Sequence, residues 1–298
     1  MCGIAGLFIK DKALEPQLGN LLARMTSTLC GRGPDSAGFA VYSEETPGLV
    51  KLTLQGKADT DFTGIARKMA SAIGGNVSFT VRHTHAVFLL PEAFAERARS
   101  WLETNEPKLT IVSEGRRLEI YKEVGYPDEV AKEFAIESIG GTHGIAHTRM
   151  ATESAVTTDG AHPFSTGEDQ CLVHNGSLSN HASLRRILSK DGIKIRTQND
   201  SEVAAGYITR ELREGKSLGE ALDHALHDLD GFFTFVIGTE DGFGVLRDPI
   251  ACKPAVMAET DQYVAFASEY KSLTCLPGIE NARVWEPKPA QSYFWEHK

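Results

Sequence analysis

MCGIAGLF, residues 1–8, opens the chain with a thiol directly behind the initiator methionine and a run of apolar and small residues behind the thiol. Residues 2–9 read as a strand. Removal of Met1 would make Cys2 the first residue, with a free α-amino group beside its own sulfur. Such an amine titrates near ~7.7–8.0, so much of it is unprotonated at neutral pH and accepts the thiol proton, directly or through one water. One residue would then hold both nucleophile and base. Cysteine also follows methionine by chance, so the chemical reading depends on the rest of the chain.

Composition sets the bounds. At 298 residues, 41% hydrophobic and 24% charged, the chain can bury a sizeable core as one large domain or two small ones. Its formal charge of −9, with no basic patch, argues against nucleic acid as a partner. Cysteine falls at Cys2, Cys30, Cys171, Cys252 and Cys275. That odd, unpatterned set reads as reduced thiols in the cytoplasm. The apolar opening lacks a basic leader and a small-residue cleavage site, and no run approaches the ~20 apolar residues that span a bilayer. No membrane partner is expected.

Along the chain, strands and helices mix without the regular alternation of a parallel sheet. Leu18, Leu21, Leu22, Met25 and Leu29 share one helical face, ended by Gly31, Gly33 and Pro34. Phe39–Tyr42 is a strand after a tight turn. Asp61–Ile73 and Glu92–Leu102 look helical, Val77–Leu89 extended, and 109–113 with 117–121 form a hairpin across Ser113-Glu114-Gly115-Arg116. A helix near 128–136, strands near 143–149 and 170–174, and helices near 180–189, 201–213 and 217–228 follow. The tail is strand-rich at 232–237, 243–247, 263–267, 282–286 and 291–295, with a hairpin signal at Asp241-Gly242. The fold class is α+β: two mostly antiparallel sheets packed face to face and covered by helices.

Other segments join Cys2. CGRGPDSAGFA places a turn at Arg32-Gly33-Pro34-Asp35; GTHGIAHTRMATES carries His147-Thr148-Arg149 and Thr152; LVHNGSLSNH sets His174-Asn175-Gly176 at a strand end; and QNDSEV offers Asp200 as a helix N-cap. Each is weak alone. In order, MCGIAG, RGPDSAG, HTRMAT, HNG and NDSE resemble the class II glutamine amidotransferases, which are N-terminal-nucleophile (Ntn) hydrolases. The tail, DGFFTFVI and GFGVLRDPIACKPAV, looks like the later sheet of that domain. The resemblance therefore covers residues 2–298 as one glutaminase domain, and implies the four-layer αββα Ntn-hydrolase sandwich.

The resemblance also assigns roles. Releasing ammonia from a carboxamide needs a nucleophile, donors for the oxyanion and a protonated leaving amine. Cys2 would attack; the Asn175 side-chain amide and the Gly176 N–H would form the oxyanion hole; water would hydrolyse the γ-glutamyl thioester. Arg149, whose planar fork suits a carboxylate, and Asp200 would hold the two charged ends of free glutamine. Thr152 matches a carboxylate-contacting position, and Arg32 a supporting arginine near the nucleophile. Met150 stands where the family often has an aromatic residue, and Glu153 where it often has His or Ala. An excursion over about 76–126, absent from compact members, reads as β-α-β-β and as a candidate docking element.

A zinc site at His83 and His85, or at Cys171 and His174, lacks a second close pair of ligands, so no metal is expected. No phosphate-binding or dinucleotide fingerprint is present. The chain carries no acceptor domain of its own, so ammonia would go to a partner subunit. GTHGIAHTRMATES and KEVGYPDEVAKEF look most like the stand-alone amidotransferase-like subunits of glutamate-synthase-like and N-methylglutamate-synthase-like assemblies. In those, flavin and iron–sulfur chemistry resides in partner chains; no cofactor is expected in this one. The alternatives are a catalytically silent docking subunit and a free-standing Cys-type Ntn amidase. The Arg149 and Asp200 pair favours a free amino acid over another amide.

Overall fold

The structure, a computed structural model, describes residues 2–151 and 155–297. In chain order the strands are β1 (Gly3–Ile9), β2 (Ser36–Tyr42), β3 (Leu49–Gln55), β4 (Ser78–Arg82), β5 (His85–Pro91), β6 (Thr110–Gly115), β7 (Leu118–Val124), β8 (His143–Arg149), β9 (Phe164–Gly167), β10 (Gln170–Leu178), β11 (Gly231–Gly238), β12 (Gly242–Arg247), β13 (Val256–Glu259), β14 (Tyr263–Ala267), β15 (Arg283–Trp285) and β16 (Gln291–Glu296). The helices are α1 (Leu18–Ser27), α2 (Phe62–Ile73), α3 (Ala95–Asn105), α4 (Pro127–Glu133), α5 (His181–Lys190), α6 (Asp200–Arg213) and α7 (Leu218–Asp228).

All seven residues of β1 are buried, which is why the opening of the chain is an unbroken apolar and small-residue run rather than an alternating one. β1 lies inside a seven-stranded sheet of order β15-β13-β14-β1-β8-β2-β7. A five-stranded sheet of order β16-β12-β11-β10-β9 faces it. Ile4, Phe8, Ile145, Val173, Val236 and Phe243 fill the layer between them. Leu18, Leu21, Leu22 and Met25 of α1 cover the outer face of the first sheet together with Val130 and Phe134. Val203 and Ile208 of α6 and Leu222 of α7 cover the outer face of the second. These are the αββα layers. Each buried Leu, Ile or Phe contributes about 1.5–3 kcal/mol from removal of apolar surface from water.

The middle of the chain differs from the sequence expectation. Val77–Leu89 is two antiparallel strands, β4 and β5, with Arg82 opposite His85 and His83 in the left-handed region at φ 49°. The hairpin expected across 113–116 does not form: β6 closes a separate four-stranded sheet of order β4-β5-β3-β6, while β7 pairs with β2 at the edge of the seven-stranded sheet. Asp169 marks the crossing. Its carboxylate accepts the backbone N–H groups of Arg116 (2.7 Å), Arg117 (2.9 Å) and Leu118 (2.9 Å), and these bonds satisfy the linker that a hairpin turn would otherwise have closed.

The excursion placed over about 76–126 is therefore redrawn. The extra unit runs from β3 to β6 with α2 and α3, has its own core around Leu52, Met69, Phe88 and Leu102, and excludes β7. It grows out of a β2–β7 hairpin in which Tyr42 pairs with Leu118 and Ser43 N donates to Arg117 O at 3.1 Å.

Candidate active site

Side chains alternate across a strand, so Cys2 and Ile4 of the β1 segment point the same way, and so do His147 and Arg149 of β8. Ile4 lies opposite His147 in the β1–β8 register and packs between the sheets. That direction carries Cys2, His147 and Arg149 towards the facing sheet, where β10 presents Asn175 and Gly176. The site thus forms where the inter-sheet layer opens at the end of β1.

Cys2 Sγ receives the Met150 backbone N–H at 3.5 Å and lies 3.8 Å from the Met150 carbonyl. Both contacts are with the backbone and not with the Met150 side chain. Burial raises the Cys2 thiol, but the adjacent His147 ring and the Met150 backbone lower it by more, and it comes down to about 7. Arg32 Nε donates to the Cys2 carbonyl at 2.9 Å, and its Nη1 pairs with Glu269 at 2.6 Å. Arg32 thus braces the Cys2 backbone.

The turn after Arg32 is packed onto the same strand. A Cβ at Gly33 would stand 2.4 Å from the Thr148 carbonyl carbon, so only glycine lets this turn lie flat on β8. Asp35 then accepts the Ala151 N–H at 2.8 Å and donates its own N–H to the Arg149 carbonyl at 3.1 Å. Arg149 is buried and its Nη1 reaches the Ala155 carbonyl at 3.5 Å. Thr152, the other carboxylate-contacting candidate, lies outside the described residues.

Asn175 Nδ2 donates to the Cys2 carbonyl at 3.3 Å and to Ser268 Oγ at 3.4 Å, while its Oδ1 is 3.1 Å from His147 Nε2. Gly176 has φ 153°, and a Cβ there would meet the Phe232 carbonyl oxygen at 2.0 Å. No other residue fits. Asp200 is the first residue of α6, not its cap: Asn199 caps the helix by accepting the Ser201 N–H at 2.9 Å. Freed from capping, the Asp200 carboxylate accepts the Leu178 N–H at 2.8 Å and stands 3.8 Å from His174 Nδ1, beneath the strand end that carries Asn175.

The geometry thus joins Cys2, Arg32 and Asn175 directly, and links Asp200 to them through β10. Sequence reasoning quoted His147 within its motif and gave it no role, and it missed Ser268 and Glu269, which no motif marks. Among the described residues, no group of His, Cys, Asp or Glu side chains is arranged to hold a metal ion. No described helix is long and apolar enough to cross a membrane.

A family model described as a glutamine amidotransferase domain matches residues 147–275. The chain is 60% identical to "Glutamine amidotransferase-like protein GlxB" of Rhizobium meliloti (strain 1021), over 100% of this chain and 99% of that one. It is 36% identical to a "Putative glutamine amidotransferase" of Methanothermobacter thermautotrophicus, over 92% and 93% of the two chains. An amidophosphoribosyltransferase of Methanocaldococcus jannaschii is 30% identical over 55% of this chain but only 36% of its own. Among solved structures, the glutamine phosphoribosylpyrophosphate amidotransferase from B. subtilis superposes with a TM-score of 0.62 at 19% identity, over 99% of this chain and 47% of that one, and so shares the fold. Identity above 30% along nearly the whole of two relatives, together with this fold, means that the chain belongs to the class II glutamine amidotransferases.

Proposed function

We propose that the chain is a glutaminase subunit: it breaks the side-chain amide of glutamine through a Cys2 thioester and passes the ammonia to an acceptor on a partner chain. The observation that carries this reading is the placing of Cys2, whose carbonyl is held by the Asn175 amide at 3.3 Å and Arg32 at 2.9 Å while its Sγ lies on the Met150 backbone. Removal of Met1 exposes the α-amino group that shuttles the proton. The Cys2 thiolate attacks the amide carbon, and the Asn175 Nδ2–H and Gly176 N–H bind the oxyanion. The bond from Asn175 to the Cys2 carbonyl is long, 3.3 Å, and is readily exchanged for the substrate oxygen. Arg149 and Thr152 take the α-carboxylate and Asp200 the α-ammonium of glutamine.

The acceptor belongs to a glutamate-synthase-like or N-methylglutamate-synthase-like assembly, with flavin and iron–sulfur centres on its other chains. The amidotransferase-like relative matches over 99% of its own length and the amidophosphoribosyltransferase over 36% of its own. The test is direct. Intact mass should show loss of Met1, diazo-oxo-norleucine should alkylate Cys2 first, and glutamine hydrolysis should rise when genomic-neighbour subunits are added. Retention of Met1 in an active protein would remove the α-amino base. Absence of glutamine hydrolysis with partners present would leave a silent docking subunit.

A further inference from the structure

Lys122 is a buried amine that the chemistry at Cys2 leaves unused. It sits on β7 opposite Gly38 of β2, and Gly38 lies opposite His147 of β8. One pair further along, Ser36 lies opposite Arg149. Partners across a sheet share a face, as do residues two apart on a strand, so Lys122 projects from the same face as Arg149. It is only 5% exposed. Its Nζ donates to three main-chain carbonyls, that of Ala161 at 2.8 Å and those of Asp159 and Pro163 at 3.4 Å each, and stands 4.7 Å from the centroid of the Phe164 ring. Burial, aided by Arg196 and Arg149 and opposed by Asp159 and Glu202, brings the amine down to about 7. An ammonium has three N–H groups and a neutral amine two, so either form holds the Ala161 carbonyl.

The three carbonyls belong to one segment, the chain that backs Arg149 between β8 and β9. The Ala155 carbonyl accepts Arg149 Nη1 at 3.5 Å, and a Cβ on Gly160 would stand 3.4 Å from the same nitrogen. Gly160 lies between Asp159 and Ala161, so Lys122 holds the segment on both sides of its contact with the guanidinium. β7 is the edge strand of its sheet. Thr158 Oγ1 donates to Glu123, whose side chain leaves β7 on the face opposite to Lys122. The edge strand therefore holds residues 158–163 from both of its faces.

We propose that Lys122 is a positioning residue for glutamine: by fixing the carbonyls of Asp159, Ala161 and Pro163 it holds this segment against Arg149 and keeps the guanidinium aimed at the α-carboxylate of the substrate. That carboxylate takes no part in bond breaking, so loss of the hold weakens ground state and transition state alike and is read in KM. The inference rests on the part given to Arg149 in the glutaminase reading, whereas the hold on the segment can be read without any substrate.

The experiment uses the full chain as wild type, Lys122→Met, which keeps the bulk of the side chain without its donors, Lys122→Arg, which keeps donors, Arg149→Ala, and the double variant Lys122→Met with Arg149→Ala. Each is checked for folding by thermal melting, and if Lys122→Met does not fold, Lys122→Gln, one bond shorter than lysine, takes its place. The first readout is amide hydrogen exchange in peptides covering residues 155–163, where the Gly160 and Ala161 N–H groups donate to the Thr157 and Thr158 carbonyls. Exchange there should quicken about tenfold in Lys122→Met, as expected for loss of one net hydrogen bond, with β1 and β10 unchanged and with Lys122→Arg close to wild type. The second readout is glutamine turnover. Lys122→Met should raise KM about 5–50-fold with kcat within about threefold of wild type, Lys122→Arg should restore KM, and the double variant should match Arg149→Ala, because a residue acting through Arg149 then has nothing to position. Unchanged exchange in folded Lys122→Met, a fall in kcat with KM unmoved, or a double variant in which the two effects on KM multiply overturns the proposal. If exchange quickens in Lys122→Met and not in Lys122→Arg while wild type hydrolyses no glutamine, the glutaminase reading falls and the hold of Lys122 on the segment stands.

Discussion

Each proposed contact with glutamine has its own kinetic signature. Arg149 and Asp200 are assigned to the charged ends of the substrate, so Arg149→Ala and Asp200→Ala should lower kcat/KM by about 2–5 kcal/mol in transition-state terms, mainly through KM, because each leaves a charged ligand group unpaired. Asp200→Ala also frees the Leu178 N–H that the carboxylate now accepts, so its melting temperature must be followed alongside. Asn175→Ala should instead lower kcat by about 10²–10³ with a smaller change in KM, since the oxyanion exists only in the transition state. Steady-state ammonia release from the three variants checks both statements. Unchanged KM in the Arg149 and Asp200 variants would point to a different amide substrate.

Among the elements, the linker from β6 to β7 depends on one side chain from another sheet. Asp169 takes three backbone N–H groups of residues 116–118, and its own N–H donates to the Glu114 carbonyl at 2.8 Å. It is buried, so its loss leaves donors without acceptors. Asp169→Ala should cost about 2–4 kcal/mol in urea unfolding, by the penalty for unsatisfied buried groups. Asp169→Asn keeps the Oδ1 that serves Arg117 and Leu118 and should cost clearly less. Equal loss in both would mean that the carboxylate's charge, not its acceptor geometry, holds the linker.

For the whole molecule, the β3–β6 unit is separable from the sandwich because Tyr42 and Leu118 already pair across the hairpin from which it grows. Replacing residues 44–116 by an Asn-Gly turn should leave the sandwich folded and Cys2 still alkylated near neutral pH. If the unit docks the acceptor subunit, that variant should lose the stimulation of glutaminase by partner chains. Full stimulation would remove the docking role. The unit also adds a pH dependence. Burial, opposed by Arg99, raises Glu114 from 4.5 to about 7, so between those values the folded state holds a proton that the unfolded state has released. Stability is then fully present below about pH 4.5 and is lost as pH rises towards 7. Relative to Glu114→Gln, the wild type should lose up to about 3 kcal/mol between pH 4 and pH 8, measured by urea denaturation at each pH.

Local pattern alone carried much of this protein. The apolar run after Cys2 and the helical stripe of Leu18, Leu21, Leu22 and Met25 were enough for the strand and the helix, because period and turn chemistry act within a few residues, while the αββα layers and the candidate site residues came from the resemblance carried by the ordered MCGIAG, RGPDSAG, HTRMAT, HNG and NDSE segments. Which sheet a strand joins is decided at long range. Thr110–Gly115 and Leu118–Val124 look like a hairpin, yet Asp169, more than fifty residues on, sends them to different sheets. Asp200 resembles a cap until Asn199 takes that position and leaves its carboxylate to β10. The contacts of His147 Nε2 with the His174 carbonyl and Asn175 Oδ1 carry no signature in the sequence and form only when the two sheets close.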